Sequence, residues 1–288
     1  MNPTLRAAAW MTGSIASFSA MAVAGRELGP AHDTFEIMMY RSVVGFVIVI
    51  SIIVATGRWR DVRTQRLGTH LVRNVAHFIG QNLWFFAVAV IPLAQVFALE
   101  FTTPIWVIVL SPLILGETIT RVKVVSAMIG FSGILLVARP DMQGITPGIV
   151  TAAASAIFFA ITIMLTKRLT RDDSILSILF YLTATQVVMG MATAGYDGTI
   201  TLPTAATLPW LVLVGLCGLT AHFCLTNALA LAPATIVVPI DFIRLPAIAV
   251  IGMLLYDEAL GLWVFVGALL IFAGNYLNIL AQTRVAHS

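Results

Sequence analysis

The stretch PLAQVFALEFTTPIWVIVLSPLILGE, residues 92–117, is long and apolar enough to cross a bilayer, yet it carries Glu100 near its middle and prolines at 92, 104 and 112. A carboxylate at the centre of a membrane helix costs roughly 2.5–3.5 kcal/mol on insertion scales, so its presence calls for a compensating partner or a task. The stretch also recurs. Adding 141 to each number carries Pro92 to Pro233, Glu100 to Asp241, Phe101 to Phe242 and Glu117 to Glu258. The second copy is again apolar, proline-interrupted and charged at its centre. In the same frame Leu28 meets Leu169, Tyr40 meets Tyr181, Gly133 meets Gly274, and Arg26 meets the like-charged Lys167.

Composition sets the medium. Hydrophobic residues make up 59% of the 288 and charged residues only 10%, with mean hydropathy +0.98; a soluble domain carries about 25% charged residues. Nearly every segment must therefore meet lipid or another apolar helix. The net charge of +3 does not point to nucleic acid, because the basic residues are few and lie between apolar runs, where loop charge bias accounts for them. Cys217 and Cys224 are seven residues apart, about 10 Å of helical rise and too far for a disulfide. Small residues around Ala22 and Ala24 resemble a signal-peptide cleavage site. The same segment has a counterpart 141 residues on, which favours a mature membrane helix.

Ten segments reach the length of about 20 mostly apolar residues that a transmembrane helix needs: 7–26, 36–56, 70–90, 93–115, 121–138, 148–167, 174–194, 209–231, 234–256 and 261–281. With the N-terminus in the cytoplasm, twelve lysines and arginines fall on the inner side and only Arg26 and Arg139 on the outer. That bias predicts two cytoplasmic termini. The repeat divides the chain into residues 1–140 and 141–288, five helices each. Five is odd, so the second half enters the membrane from the opposite side. The expected fold class is an all-α integral membrane protein, ten transmembrane helices arranged as two inverted five-helix repeats.

Four charges fall inside the expected spans: Arg41, Glu100, Asp241 and Arg244. Asp241 and Arg244 are three apart and can pair on one helix face. Glu100 and Arg41 lie at similar depth, which predicts a contact between them if the second and fourth helices are neighbours. Both pairs could be purely structural. Alternatively one carboxylate binds a proton or a cationic group of a solute during a transport cycle. Arg244 answers to Thr103 in the repeat, so Asp241 has a partner on its own helix while Glu100 must find one elsewhere. Glu100 is therefore the expected moving part and Asp241 the expected fixed strut.

The third segment carries Asn74, His77, Gln81 and Trp84 at spacings of three, four and three, one polar stripe on an apolar helix. Gln81 maps to His222 in the second repeat, with Asn227 about a turn further on. A lone intramembrane histidine is more often an interhelical hydrogen-bonding residue than a ligand site. A four-residue stripe is more readily explained as a cavity wall. Together with Gln95, Thr103 and Trp106 it would offer hydrogen bonds and aromatic faces to a planar or amphipathic solute. Gly116-Glu117 and Asp257-Glu258 precede the fifth and tenth helices, where a carboxylate favours the positive end of the helix that follows. Gly13, Ser14, Ser17 and Ser19 permit close packing of the first helix. The prolines of the fourth and ninth helices are expected to kink them and leave carbonyls free toward a cavity.

There is no Walker-type phosphate loop, no Cys/His set at metal-ligand spacing and no Gly-x-Ser-x-Gly elbow. Neither a metal nor a cofactor is expected. A membrane-embedded enzyme using His77 or His222 with a carboxylate is an alternative, as is a structural membrane subunit.

The ten helices, the two five-helix halves and a Leu-Gly-Glu junction at 115–117 resemble the drug/metabolite transporter superfamily, and each half resembles an EamA domain. The second junction departs from the pattern, reading Tyr256-Asp257-Glu258. What the resemblance implies is a basket of helices around a central cavity. It implies a bacterial inner-membrane secondary transporter of a small metabolite, such as a vitamin like riboflavin or an amino acid. Its partners would be that solute, the lipid bilayer and, as a candidate coupling ion, the proton. Trp84, Phe85 and Trp106 favour a flat, amphipathic solute.

Overall fold

The computed structural model describes residues 3–115, 121–138, 145–232, 237, 240–241, 243–259 and 261–285, and these are helical with short connections. In chain order the helices are α1 (Pro3–Leu28), α2 (Thr34–Thr56), α3 (Leu67–Val90), α4 (Leu93–Glu100), α5 (Thr103–Leu115), α6 (Arg121–Ala138), α7 (Pro147–Leu169), α8 (Ile175–Thr193), α9 (Leu208–Leu231), α10 (Arg244–Tyr256) and α11 (Leu262–Val285). Among the described residues six spans, from α1, α2, the α4–α5 run, α7, α8 and α9, are long and apolar enough to cross a membrane, and shorter apolar helices lie within α6, α10 and α11. The 24-residue α3 is absent from that set. Its interior face carries His70, Arg73, Asn74, His77, Gln81 and Asn82, all buried, so its polarity is turned inward rather than toward lipid. Arg73, one of the twelve basic residues the sequence assigns to the cytoplasmic side, is part of this interior.

Local chemistry sets the helix ends. Asp33 and Glu36 form a capping box at the start of α2, and Gly57 closes it with φ 64°, a left-handed conformation that glycine adopts without Cβ strain. Thr146 caps α7 and Ser174 caps α8 by accepting from the amides of Ile149 and Ser177. The run expected as one helix over 93–115 is two helices broken at Phe101-Thr102. Pro104 has no N–H for the Glu100 carbonyl four residues back. The Thr103 hydroxyl donates to that carbonyl at 2.6 Å instead, and the Thr102 hydroxyl donates to Leu99 O at 2.7 Å. The carbonyl that the proline orphans is thus satisfied locally rather than left open to the cavity.

The helices pair according to the repeat. Shifting the bounds of α3 by 141 gives those of α9. The most extensive contacts join α1 to α9, α3 to α7, α2 to α8 and α6 to α11. The first two pairs are repeat mates of one another, and each of the other two joins a helix to its own mate. Gly190 rests on Met39 while Gly45 faces Thr183, so α2 and α8 run antiparallel. Gly133 lies against Gly267 and Ile271, and Gly274 against Ser126 and Gly130, so α6 and α11 do the same. Neither glycine has space for a Cβ. Without an aqueous hydrophobic force between spans, such close backbone approach is the main source of helix association. Gly133→Leu is expected to lower stability by about 1–3 kcal/mol, read as an earlier thermal transition of the detergent-purified protein. An unchanged transition would mean that this contact does not form.

Candidate functional site

A cavity starts between Trp84, Glu100 and Arg244 at mid-bundle. It runs toward the end of the bundle where α3 begins and α7 and α9 finish. It encloses about 880 Å³, solvent at its mouth included, within the size range of small-molecule sites. Its walls come from α1, α3, α7 and α9 together with the α4–α5 break and the segment leading into α10.

One end is an ion cluster. Arg244 Nη2 donates to Glu100 Oε1 at 2.8 Å and to Asp241 Oδ2 at 2.6 Å. Trp84 Nε1–H donates to the other Glu100 oxygen at 2.8 Å. The Arg244 guanidinium also lies 4.8–5.4 Å from the ring centroids of Phe18, Phe97 and Phe101, an aromatic enclosure suited to a cation. Two carboxylates share one arginine, so the cluster is formally −1. Asp241 Oδ1 and Arg244 Nε are buried with no protein partner.

These contacts correct two expectations. Glu100 pairs with Arg244 and not with Arg41. Arg41 is buried against Gly218 of α9, beside Ser42, Gly45 and Gln186. Nor is Arg244 the partner of Asp241 alone, since both carboxylates share it. Glu100 is held at both oxygens, while Asp241 keeps one oxygen free.

The middle of the cavity is neutral and polar. The His77 and His222 rings meet edge to face at 4.6 Å, and both wall the cavity with Gln81. Both His77 nitrogens, His222 Nε2 and Gln81 Oε1 are buried without a protein partner. A neutral imidazole carries one donor and one acceptor, and burying either unpaired costs free energy, so this wall is built for a polar occupant. Thr103 and Trp84 also face the cavity.

The remaining expected residues lie elsewhere. Asn74 accepts from Arg73 and donates to Tyr181 O at 2.9 Å, outside the cavity wall. Asn227 folds back on its own helix to Phe223 O at 2.8 Å. Gln95 and Trp106 are not among the wall residues. A helical stripe specifies a direction but not its angular width, and Asn74 falls just past the edge. The wall residues that the sequence did not mark include Arg73, Met11, Phe18, Phe159, Thr162 and Thr166. Thr162 and Thr166, one helical turn apart on α7, gave a spacing signal that could have been read.

The opposite end of the bundle is tied together by Arg26 and Glu258. Pro92 has no N–H for the Val88 carbonyl, and Arg26 fills that role, donating to Val88 O and to Ile91 O. Its Nη1 also pairs with Glu258 Oε1 at 2.9 Å. Glu258 Oε2 accepts the amide of Leu93 at 2.8 Å. Its carboxylate therefore sits at the positive end of α4, in the other repeat, rather than at that of the helix following it. Lys167 repeats the arrangement at the end toward which the cavity runs. Its Nζ donates to Leu229 O at 2.6 Å and to Ala232 O at 3.4 Å. Each of these four carbonyl positions differs from its mate by 141. Glu117, the mate of Glu258, lies outside the described residues, as do Pro233 and Phe242.

Comparison with known proteins agrees with this architecture. The model of the EamA-like transporter family matches the chain twice, over residues 5–139 and 146–280, in two copies offset by 141. The chain belongs to that family and is a membrane protein. The S-adenosylmethionine uptake transporter of Rickettsia bellii is 26% identical over 250 residues, covering 86% of this chain and 84% of the relative. The riboflavin transporter of Brucella anthropi is 26% identical over 92% of this chain and 95% of its own length. That of Rhizobium johnstonii is 31% identical over 74% and 70%. A solved crystal structure shares the fold with a TM-score of 0.68 at 17% identity, over 97% of this chain and 98% of its own.

Proposed function

We propose that this chain is a secondary carrier of the bacterial inner membrane. Its ten spans form two inverted five-helix repeats, residues 1–140 and 141–288, with both termini cytoplasmic. It moves a small amphipathic metabolite by alternating access. The observation that carries the reading is a cavity that runs from the ion cluster toward one end of the bundle, with Arg26–Glu258 tying the other end and symmetry-related basic residues at both. Such an arrangement can expose one midplane site to either side in turn. The antiparallel pairing of α2 with α8 and of α6 with α11 supports the inverted repeat. Eleven basic residues remain on the inner side once Arg73 is counted as interior, which supports the orientation. The named substrates of the relatives, S-adenosylmethionine and riboflavin, each join a planar ring to a polar chain. A wall combining Trp84, Phe18, Phe101 and Phe159 with the polar groups of His77, Gln81 and His222 suits that shape.

Flux of both labelled solutes into proteoliposomes, with and without a proton gradient, tests the reading. The expected result is saturable movement of chemically unaltered solute. Recovery of a converted product would instead support a membrane-embedded enzyme, and acceleration by the gradient would support proton coupling.

A further inference from the structure

The cavity is electrically polarised along α3, and neither of its charged ends is balanced by protein. At the midplane end the ion cluster carries one negative charge in excess, and Asp241 Oδ1 has no donor. At the other end stands Arg73, 1% exposed and in the cavity wall. Its Nε donates to Thr166 Oγ1 at 3.0 Å and its Nη1 to Asn74 Oδ1 at 2.9 Å. Thr166 Oγ1 spends its own proton on Thr162 O, which leaves it a pure acceptor and fixes the plane of the guanidinium. Among the described residues no carboxylate pairs with Arg73. Arg41, buried behind it with Nε unpartnered and again without a carboxylate, repels it and adds to the positive potential there. Two guanidiniums held in a low-dielectric interior without counter-charge are costly. A bound anion would offset that cost.

Resting on the carrier reading, we propose that Arg73 is the anion anchor of the transport site, taking the carboxylate of an amino-acid-bearing solute. One guanidinium matches a singly charged carboxylate. The ammonium of such a solute shares a carbon with that carboxylate and stays at the Arg73 end. Trp84, level with the ion cluster, lies eleven residues along α3 from Arg73, roughly 16 Å at the rise of a helix. The rest of the solute therefore extends from Arg73 toward the ion cluster. His77, Gln81 and His222 line that stretch and meet the hydrogen-bonding edge of a planar ring. A neutral solute such as riboflavin leaves Arg73 unmatched; an amino-acid-bearing nucleoside such as S-adenosylmethionine matches it.

Competition for flux by the full chain in proteoliposomes tests this with matched solutes. These are S-adenosylmethionine, its decarboxylated analogue, tryptophan, tryptamine and riboflavin. The expected wild-type result is a preference of about ten- to a hundred-fold for each carboxylate-bearing solute over its amine, the size of one charge-assisted hydrogen bond. Arg73→Gln is expected to remove that preference while leaving the amines within about two-fold, and Arg73→Lys to restore part of it. A preference that survives Arg73→Gln overturns the inference, because a structural arginine would lower all solutes alike. If Arg73→Gln does not fold, the wild-type ranking and Arg73→Lys decide, and equal use of acids and amines by the wild type is then fatal. A wild type that moves only riboflavin overturns the inference and leaves the carrier standing. One that moves no member of the panel overturns both.

Discussion

Arg244→Ala is expected to be the most damaging single substitution in the protein. The arginine is 2% exposed and bonded to both Glu100 and Asp241. Removing it leaves two carboxylates facing one another in an apolar setting, and leaving the partner of a buried ion pair unmatched costs about 3–5 kcal/mol. Three aromatic rings also lose the cation they surround. The purified variant should show a lower thermal transition and flux near background. Combining Arg244→Ala with Glu100→Gln and Asp241→Asn removes the repulsion, so stability should largely return while flux does not. A single variant as stable as the wild type would show that the cluster is not the midplane anchor described above.

Breaking the Arg26–Glu258 tie should produce the second largest effect. Arg26 joins α1 to the carbonyls at the end of α3 and, through Glu258, to the α10–α11 junction and the start of α4. Arg26→Gln leaves Glu258 without its cation, and the same cost of about 3–5 kcal/mol falls on the state closed at that end. By mass action this shifts the balance between the two states by roughly a hundred-fold or more. A membrane-impermeant thiol reagent added from that side should then label Met21→Cys, in a background lacking Cys217 and Cys224, much faster than when Arg26 is present. Arg26→Lys should retain most of the closure, because Lys167 makes the equivalent carbonyl contacts with an ammonium. Labelling that is equally slow in all three proteins would remove the latch from the transport cycle.

Several features of the fold were legible in the chain alone because they follow from composition and register. A sequence this apolar has few alternatives to membrane helices, and the 141-residue frame relates α3 to α9 and Arg26 to Lys167. The like-charge match of Arg26 and Lys167 marks a device repeated at both ends of the bundle. Part of its cause was also in the sequence: Pro92 deprives the carbonyl at 88 of its amide donor, and a basic side chain supplies one. Helix ends such as Asp33 with Glu36 and Thr56-Gly57 were equally readable, since capping is local.

The identity of each charge's partner was not. Asp241–Arg244 was predictable because residues three apart on a helix meet. Glu100–Arg244 spans 144 residues and depends on how α4 packs against α10, so depth along the membrane normal led to Arg41 instead. Depth is one coordinate, and an ion pair needs the position around the bundle as well. The same limit hid Arg73, which by position reads as a loop-side basic residue and by packing is a buried wall of the cavity. What the sequence by itself determined, then, is the medium, the repeat and the residues too costly to be there without a role. Only the tertiary structure decided which of them face one another, because long-range pairing is set by the angular arrangement of packed helices, and no spacing within one helix encodes it.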